Sequence, residues 1–586
     1  MQPTAVALGN PAPRVPEERQ FETHDSVPLF YRRWPGSGNR AVVLLHRGHE
    51  HSGRLAHLVQ ELELPEVSFF AWDARAHGRS GGEQVSATTM ATFVQDLDEF
   101  VRHIRAEFGI AEEEISVVAQ SVGAVIAAAW VHDYAPAISC MVLAAPAFKV
   151  KLYVPLARVG LGLWHKLAGD FFVKSYVKGR ALTHDTQRAA SYHTDPLIKP
   201  RISARVLLDL YRISDRIVAD AAAIRVPTQI LLSGSDWVIH NQPPRLFYDR
   251  LDTEEKEIHS FQGFFHDTLG EKGRYLAIAK VRAFLERPFT PRPSLQNADG
   301  SGFTKREYDH LSQPLSALSP KRWTFGLTKL FLRTLGRLSA GIRLGGDMGF
   351  DSGSSLDYVY RNRASGITPL GTLIDWFYLN SPGWRGIRVR KQLLQELIGR
   401  AAKRLRLERQ PVRIVDVAAG HGRYVLEAIA NLDAAPDDVL LRDFDPSNVE
   451  LGRKLIADQK ASARFEQGDA FDRASLASLH PHPTLAIVSG LFELFPQNDP
   501  LRETLRGLAA AIESGGYLIY TGQPWHPQLE FIARTLSSHR GGAPWVMRRR
   551  TQEELDELVR DGGFRKVEQH IDPEGLFTVT LSERIG

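Results

Sequence analysis

A single cysteine, Cys140, among 586 residues excludes an internal disulfide and a zinc site built from thiolates. It stands in an apolar run with Met141, Val142 and Leu143 that reads as a buried strand, and such usage fits a reducing compartment. Long apolar runs are absent too: none reaches the ~18–20 residues that a helix needs to cross a bilayer. Met1 to Ala5 hold no basic segment leading into an apolar one, which predicts no signal peptide and a cytoplasmic location. Charge of one sign is also missing. The 72 Lys and Arg face 68 Asp and Glu, a formal +4, which gives nucleic acid no footing as a partner. What is present is an ordinary globular composition in a chain too long for one core, so two or more domains are expected.

Ala119-Gln120-Ser121-Val122-Gly123 organises the first half. A β-like run at 115–118 precedes it and a helix-like run at 124–130 follows. A serine on a sharp strand-to-helix turn, with Gly or Ala two residues to each side, is a nucleophile elbow. The small flanks are needed because neighbouring backbone crowds the turn. Taken alone, the pentapeptide also suits any strand–turn–helix that contains a serine.

Its surroundings are more specific. Residues 20–34 look like a hairpin turning at His24-Asp25-Ser26. Apolar runs at 41–46, 67–72, 115–120, 139–144, 228–233 and 256–261 alternate with helical stretches. That pattern predicts an α/β fold with a mostly parallel sheet covered on both faces. The loop from His46 to Gly53 can offer a backbone N–H, that of Gly48, to an oxyanion, and Val122 after the nucleophile offers the second. Asp236 follows the fifth run as an acid, and His266 follows the sixth as a base. The order Ser121, Asp236, His266 is that of a triad in which His266 takes the serine proton and Asp236 holds the imidazole.

Residues 20–288 resemble the monoacylglycerol lipase-like branch of the α/β-hydrolases. The resemblance is carried by Glu-His-Ser-Gly-Arg at 50–54 and Asp-x-Arg-x-His-Gly-x-Ser at 73–80. It implies a serine ester hydrolase with a helical cap at 149–225, whose apolar residues suit an acyl ester or lipid. A cap that merely packs on the core is the plain alternative. Two positions depart from the family: Ala119 replaces the first Gly of the elbow, and Arg47 replaces another Gly. Arg47 is expected to narrow the acyl site or to charge it. His49 and His51 can line the site, but no third ligand accompanies them and no metal is expected.

Residues 1–19 read as a mobile N-terminus and 289–320 as a linker. Across 321–344, Trp323, Leu327, Leu330, Phe331, Leu335, Leu338 and Ile342 share one helical face, and Arg322, Lys329, Arg333 and Arg337 another. The plainer reading packs the apolar face on the second domain. The alternative lays it on an anionic membrane surface, at the inner face of the membrane.

From Val412 to Tyr424 a buried strand enters a small-residue turn and then a helix. The turn lacks the Gly-x-Gly-x-x-Gly spacing of a dinucleotide fold. A second strand ends in Asp443-Phe444-Asp445, where an acid bonds the ribose of a nucleoside cofactor, Asp443 by register and Asp445 as second choice. A third ends in Asp469-Ala470, and strands at 484–489, 516–521, 564–570 and 576–581 complete the set. Residues 380–586 resemble class I S-adenosylmethionine methyltransferases. The resemblance implies a Rossmann-like core at 406–586 behind a helical or lid part at 321–405. It also implies S-adenosylmethionine held by Asp416, Ala418, Gly420, Gly422, Asp443, Asp445, Asp469 and Ala470. Candidates for the methyl-acceptor site are Glu493, Gln523, His526 and Tyr424. The whole chain resembles bacterial hydrolase–methyltransferase fusions, which implies a bifunctional enzyme with a small-molecule or lipid acceptor. Two alternatives stand beside it: one unit retired as a scaffold or sensor, or a nicotinamide-dependent oxidoreductase in the second half.

Overall fold

The computed structural model describes residues 14–82, 88–154, 156–295, 299 and 302–586. The chain divides into two compact units, Met1–Arg292 and Pro293–Gly586.

Among the described residues the first unit holds ten strands: β1 (Glu17–Glu22), β2 (Pro28–Trp34), β3 (Ala41–Leu45), β4 (Ser68–Trp72), β5 (Ile115–Gln120), β6 (Cys140–Ala144), β7 (Phe172–Lys174), β8 (Arg201–Ser203), β9 (Thr228–Ser233) and β10 (Lys256–Phe261). Eight of them form one sheet in the order β1-β2-β4-β3-β5-β6-β9-β10. The β1–β2 and β2–β4 pairs are antiparallel and the rest parallel. Every residue of β3, β4, β5, β6 and β9 is buried, as strands covered by helices on both faces require. The cap contains the antiparallel β7–β8 pair and the helices Ala157–Ala168, Thr186–Thr194 and Ala204–Ala219. Residues 1–13 lie outside the described residues, but 14–19 are not loose. The Arg14 guanidinium donates to the carbonyls of Trp34 and Val67, each at 2.9 Å, and β1 begins at Glu17.

The second unit holds β11 (Arg413–Asp416), β12 (Asp438–Asp443), β13 (Arg464–Gln467), β14 (Leu485–Val488), β15 (Tyr517–Gly522), β16 (Phe564–Ile571) and β17 (Thr578–Arg584). Their order is β13-β12-β11-β14-β15-β17-β16. Strands β11 to β15 are parallel, and β17 runs antiparallel between β15 and β16. The order reverses at β11, so the crevice for a ligand opens at the carboxyl ends of β11, β12 and β14. The helix Pro382–Leu407 buries Ile387, Leu394, Leu397, Ile398, Ala401 and Leu405, a stripe at helical spacing laid on the sheet.

Two sequence expectations are corrected in the helical part. The linker is shorter than 289–320, because Phe303–Ser312 is a helix of the second unit. Its Leu311 joins an apolar core and its Glu307 pairs with Arg549. The stretch 321–344 is not one helix. It breaks at Thr334 (φ −112°, ψ −96°) into Pro320–Arg333 and Ala340–Met348, the latter capped by Ser339. The break lets Gly341 lie against Asp375 and Tyr378, where a Cβ would collide with both. Pro320–Arg333 is packed only in part: Leu332 lies against an apolar core and Phe331 borders a cavity, while Trp323, Leu327 and Leu330 are exposed.

Candidate active sites

In the first unit β5 runs into the helix Val122–Tyr134 through Ser121, whose φ is +53°. This is a costly region for a side-chain-bearing residue, held by surrounding structure. The Ser121 N–H donates to the Ala144 carbonyl at 2.9 Å. Gly123 lets the helix approach the end of β3, for a Cβ there would stand 2.6 Å from the His46 carbonyl oxygen. The turn thereby aims Ser121 at the loop after β10. His266 Nε2 lies 2.8 Å from Ser121 Oγ, and His266 Nδ1 lies 2.7 Å from Asp236 Oδ2. Asp236 Oδ1 accepts the N–H groups of Val238 at 2.7 Å and Ile239 at 2.9 Å. Burial opposes the Asp236 charge, but His266 and those two N–H groups hold its carboxyl below the usual value. Three residues from three strand ends therefore form one buried chain of hydrogen bonds.

Val122 is the first residue of its helix, so its N–H has no intrahelical acceptor. Gly48 stands opposite, close enough that a Cβ on it would lie 3.2 Å from Val122 Cγ2. Both line a cavity of about 450 Å³ with Ser121, His266 and the cap residues Leu152, Leu161 and Tyr176. His49 lines it too, whereas His51 turns away to Asp195 of the cap at 2.9 Å. Arg47 lines this cavity as well, as expected, but its charge is paired. Its guanidinium is tied to Glu50 at 3.0 and 2.6 Å and to Asp267 at 3.1 Å, within a buried network that includes Arg188. It ties the loop that carries Gly48 to the loop that carries His266.

In the second unit a cavity of about 590 Å³ opens at the carboxyl ends of β11, β12 and β14. Ala418, Gly420, Gly422, Asp443, Asp445, Asp469 and Ala470 line it. Gly422 has φ +74°, and a Cβ on it would strike Leu441. Asp443 Oδ2 accepts the Gly420 N–H at 2.9 Å, and its Oδ1 accepts the Asp445 N–H and Asn448 Nδ2, each at 3.0 Å. A carboxylate offers about four lone-pair sites, so these donors leave one untaken. Burial raises the Asp443 carboxyl, although these three donors oppose the shift. Asp445 Oδ1 instead receives Ser447 N and Oγ, each at 2.8 Å, to cap the next helix.

Asp416 is not at the cavity. It is fully buried beneath the loop, where it takes the Tyr424 hydroxyl and the Ala418 N–H. Burial pushes its carboxyl up to about 7. Tyr424, with its hydroxyl committed to Asp416, lines the 590 Å³ cavity and not the place of an acceptor. Glu493, Gln523 and His526 line a second, apolar cavity of about 370 Å³. The two cavities share Asp351, Leu356, Arg390, Gly490 and Leu494. Arg390 and Asp351 were not foreseen. The available signal was an arginine in the apolar stripe of the helix Pro382–Leu407, where only a buried partner or ligand would keep it.

Comparison with known proteins agrees with this division. A family model described as "Putative methyltransferase" matches residues 281–584, and one described as "Serine aminopeptidase, S33" matches 36–273. "Uncharacterized protein YnbC" of Escherichia coli (strain K12) is 53% identical over 579 residues, covering 97% of this chain and 99% of that protein. Monoacylglycerol lipase of Mycolicibacterium smegmatis is 29% identical, over 46% of this chain and 96% of that protein. Among solved structures, a soluble variant of monoglyceride lipase from Saccharomyces cerevisiae aligns with 47% of this chain and 97% of its own. Its TM-score is 0.42 at 17% identity.

Proposed function

This chain belongs to the methyltransferase family whose model spans residues 281–584, preceded by a serine ester hydrolase unit, and we propose that the pair acts on acyl esters and on an apolar methyl acceptor. The observation that carries the hydrolase half is the unbroken Ser121–His266–Asp236 chain. As Ser121 Oγ attacks an ester carbonyl, His266 Nε2 takes its proton and Asp236 stabilises the imidazolium. The N–H groups of Val122 and Gly48 receive the oxyanion. His266 returns the proton to the departing alcohol, and water then releases the acid by the same route. The apolar cavity under the cap fits an acyl chain.

For the second unit the cofactor is S-adenosylmethionine, which when bound supplies an electrophilic methyl group. The small-residue turn at Gly420 and Gly422 lets backbone approach it closely, and the open site on Asp443 suits a ribose hydroxyl. The chain's own residues bind and align, and the acceptor enters the adjoining apolar cavity. Calorimetry with S-adenosylmethionine and with NAD tests this half. Binding of NAD alone would make it an oxidoreductase.

A second reading concerns location, and one observation favours it. The helix Pro320–Arg333 presents Trp323 and Leu327 to solvent at 73% and 69% exposure, and the helix Pro369–Leu379 adds Leu373, Trp376 and Phe377. Among the described residues no helix is long and apolar enough to cross a membrane. We propose peripheral contact with an anionic lipid surface.

A further inference from the structure

The 370 Å³ cavity of the second unit is apolar along most of its wall, but some residues of that wall carry hydrogen-bond donors. Arg390 Nε, Gln523 Nε2 and Trp545 Nε1 are buried there without a protein partner. Leaving a buried donor unmet costs about 1–3 kcal/mol, so three on one cavity point to a ligand that meets them. His526 is a fourth. Its Nδ1 accepts the N–H of Gln528 at 3.1 Å, so the neutral ring carries its proton on Nε2. Burial pushes this imidazole down to about 4, which keeps it neutral. Arg390 lies where the two cavities join, its guanidinium against Gly490. Its Nη1 is 3.4 Å from Glu493 Oε1.

Resting on the methyltransferase reading, we propose that the acceptor is the carboxylate of a long-chain apolar molecule, which leaves as its methyl ester. The apolar wall takes the chain, and Arg390, Gln523, Trp545 and His526 take the carboxylate oxygens. An alcohol or phenol would need a base to remove its proton. His526 offers a donor in that position, and Glu493 faces Arg390. A carboxylate is already ionised and needs no base. One of its oxygens attacks the methyl carbon of the sulfonium. The O–C bond forms as the S–C bond breaks, and that electron pair stays on sulfur. A neutral ester and a neutral thioether result, and no proton moves. Hydrolysis of an acyl ester in the first unit releases a carboxylate, so the product class of one unit is the acceptor class of the other.

The test uses the full chain with laurate, 1-dodecanol and 4-octylphenol. Calorimetry should show laurate bound at least about tenfold more tightly than the other two. Trp545→Phe and Gln523→Leu, which remove a donor and keep bulk, should each weaken laurate about 10–100-fold, as loss of a hydrogen bond to a charged group predicts. Both should leave S-adenosylmethionine affinity unchanged, since neither residue lines the cofactor cavity. With S-adenosylmethionine added, mass spectrometry should detect methyl laurate. Equal binding of the alcohol or phenol, methylation of either in place of laurate, or unchanged laurate affinity in both variants would overturn the proposal. Intact S-adenosylmethionine binding without laurate binding sinks this inference alone. Failure to bind S-adenosylmethionine sinks the reading beneath it.

Discussion

Arg47 and Asp267 form a buried ion pair at 3.1 Å that joins the loop before Gly48 to the residue after His266. The arginine that departs from the lipase pattern thus has its own partners. Arg188 and Arg47 beside Asp267 hold that carboxyl far below the usual range despite its burial. Breaking such a pair strands a charge, which typically costs about 3–5 kcal/mol. Arg47→Met should lower the melting temperature and the kcat for ester hydrolysis together. Asp267→Asn should do the same. Unchanged thermal stability in Arg47→Met would show that the network is not structural.

Ser121→Ala removes the nucleophile and leaves a cavity wall of nearly the same shape. Hydrolysis of short acyl esters should fall by at least about 10³-fold, with melting temperature unchanged. A fluorophosphonate probe should label the parent at Ser121 and spare the variant. A parent that takes no label would make the first unit a retired enzyme.

Asp443→Ala removes the acceptor of the Gly420 N–H and the open site beside it. S-adenosylmethionine affinity should fall about 10–100-fold, the worth of a hydrogen bond to a charged group. Gly420→Val should abolish binding, because Gly420 has φ +57° and borders the cavity. Full affinity in both variants would place the cofactor elsewhere.

Asp416 gives a pH signature. Its carboxyl titrates at about 7 when folded, against about 3.9 unfolded. Between those values the folded state binds the extra proton. Stability from this group is complete below pH ~4 and is lost as pH rises through about 7. The melting temperature should fall from pH 5 to 7.5, and Asp416→Asn should flatten that fall. Parallel curves for parent and variant would refute the assignment.

The strand ends and their small-residue turns were legible because each is a local pattern. Ser121, Asp236, His266, Gly420 and Asp443 all sit on such turns. What a side chain does after leaving the strand was not. Asp416 ends β11, but side chains alternate between the faces of a strand, and a one-residue difference turns it from the cavity into the core. Arg47 looked like an intruder because Asp267 and Arg188, its distant neighbours, come together only in the fold. Arg390 was hidden for the same reason: its cavity is built from Gly490, Gln523 and Trp545, three separate parts of the chain.

The exposed face of Pro320–Arg333 yields the last prediction. Arg322, Lys329 and Arg333 are exposed on a helix that holds no acidic residue. Two neighbouring cations count for less: Lys321 pairs with Glu530 at 2.7 Å and Arg337 with Asp347 at 2.9 Å. Each basic residue near an anionic surface contributes about 1 kcal/mol before screening, so three give weak, salt-sensitive attachment. Insertion of Trp323 and Leu327 adds apolar burial to it. The parent should sediment with vesicles containing phosphatidylglycerol, release as salt is raised, and ignore vesicles of phosphatidylcholine alone. Lys329→Glu with Arg333→Glu should abolish sedimentation, and Trp323→Ala should weaken it, both with melting temperatures nearly unchanged because these side chains are largely exposed. If the parent stays in the supernatant at low salt, this face does not meet a membrane. If Trp323→Ala instead destabilises the fold, the face is packed after all.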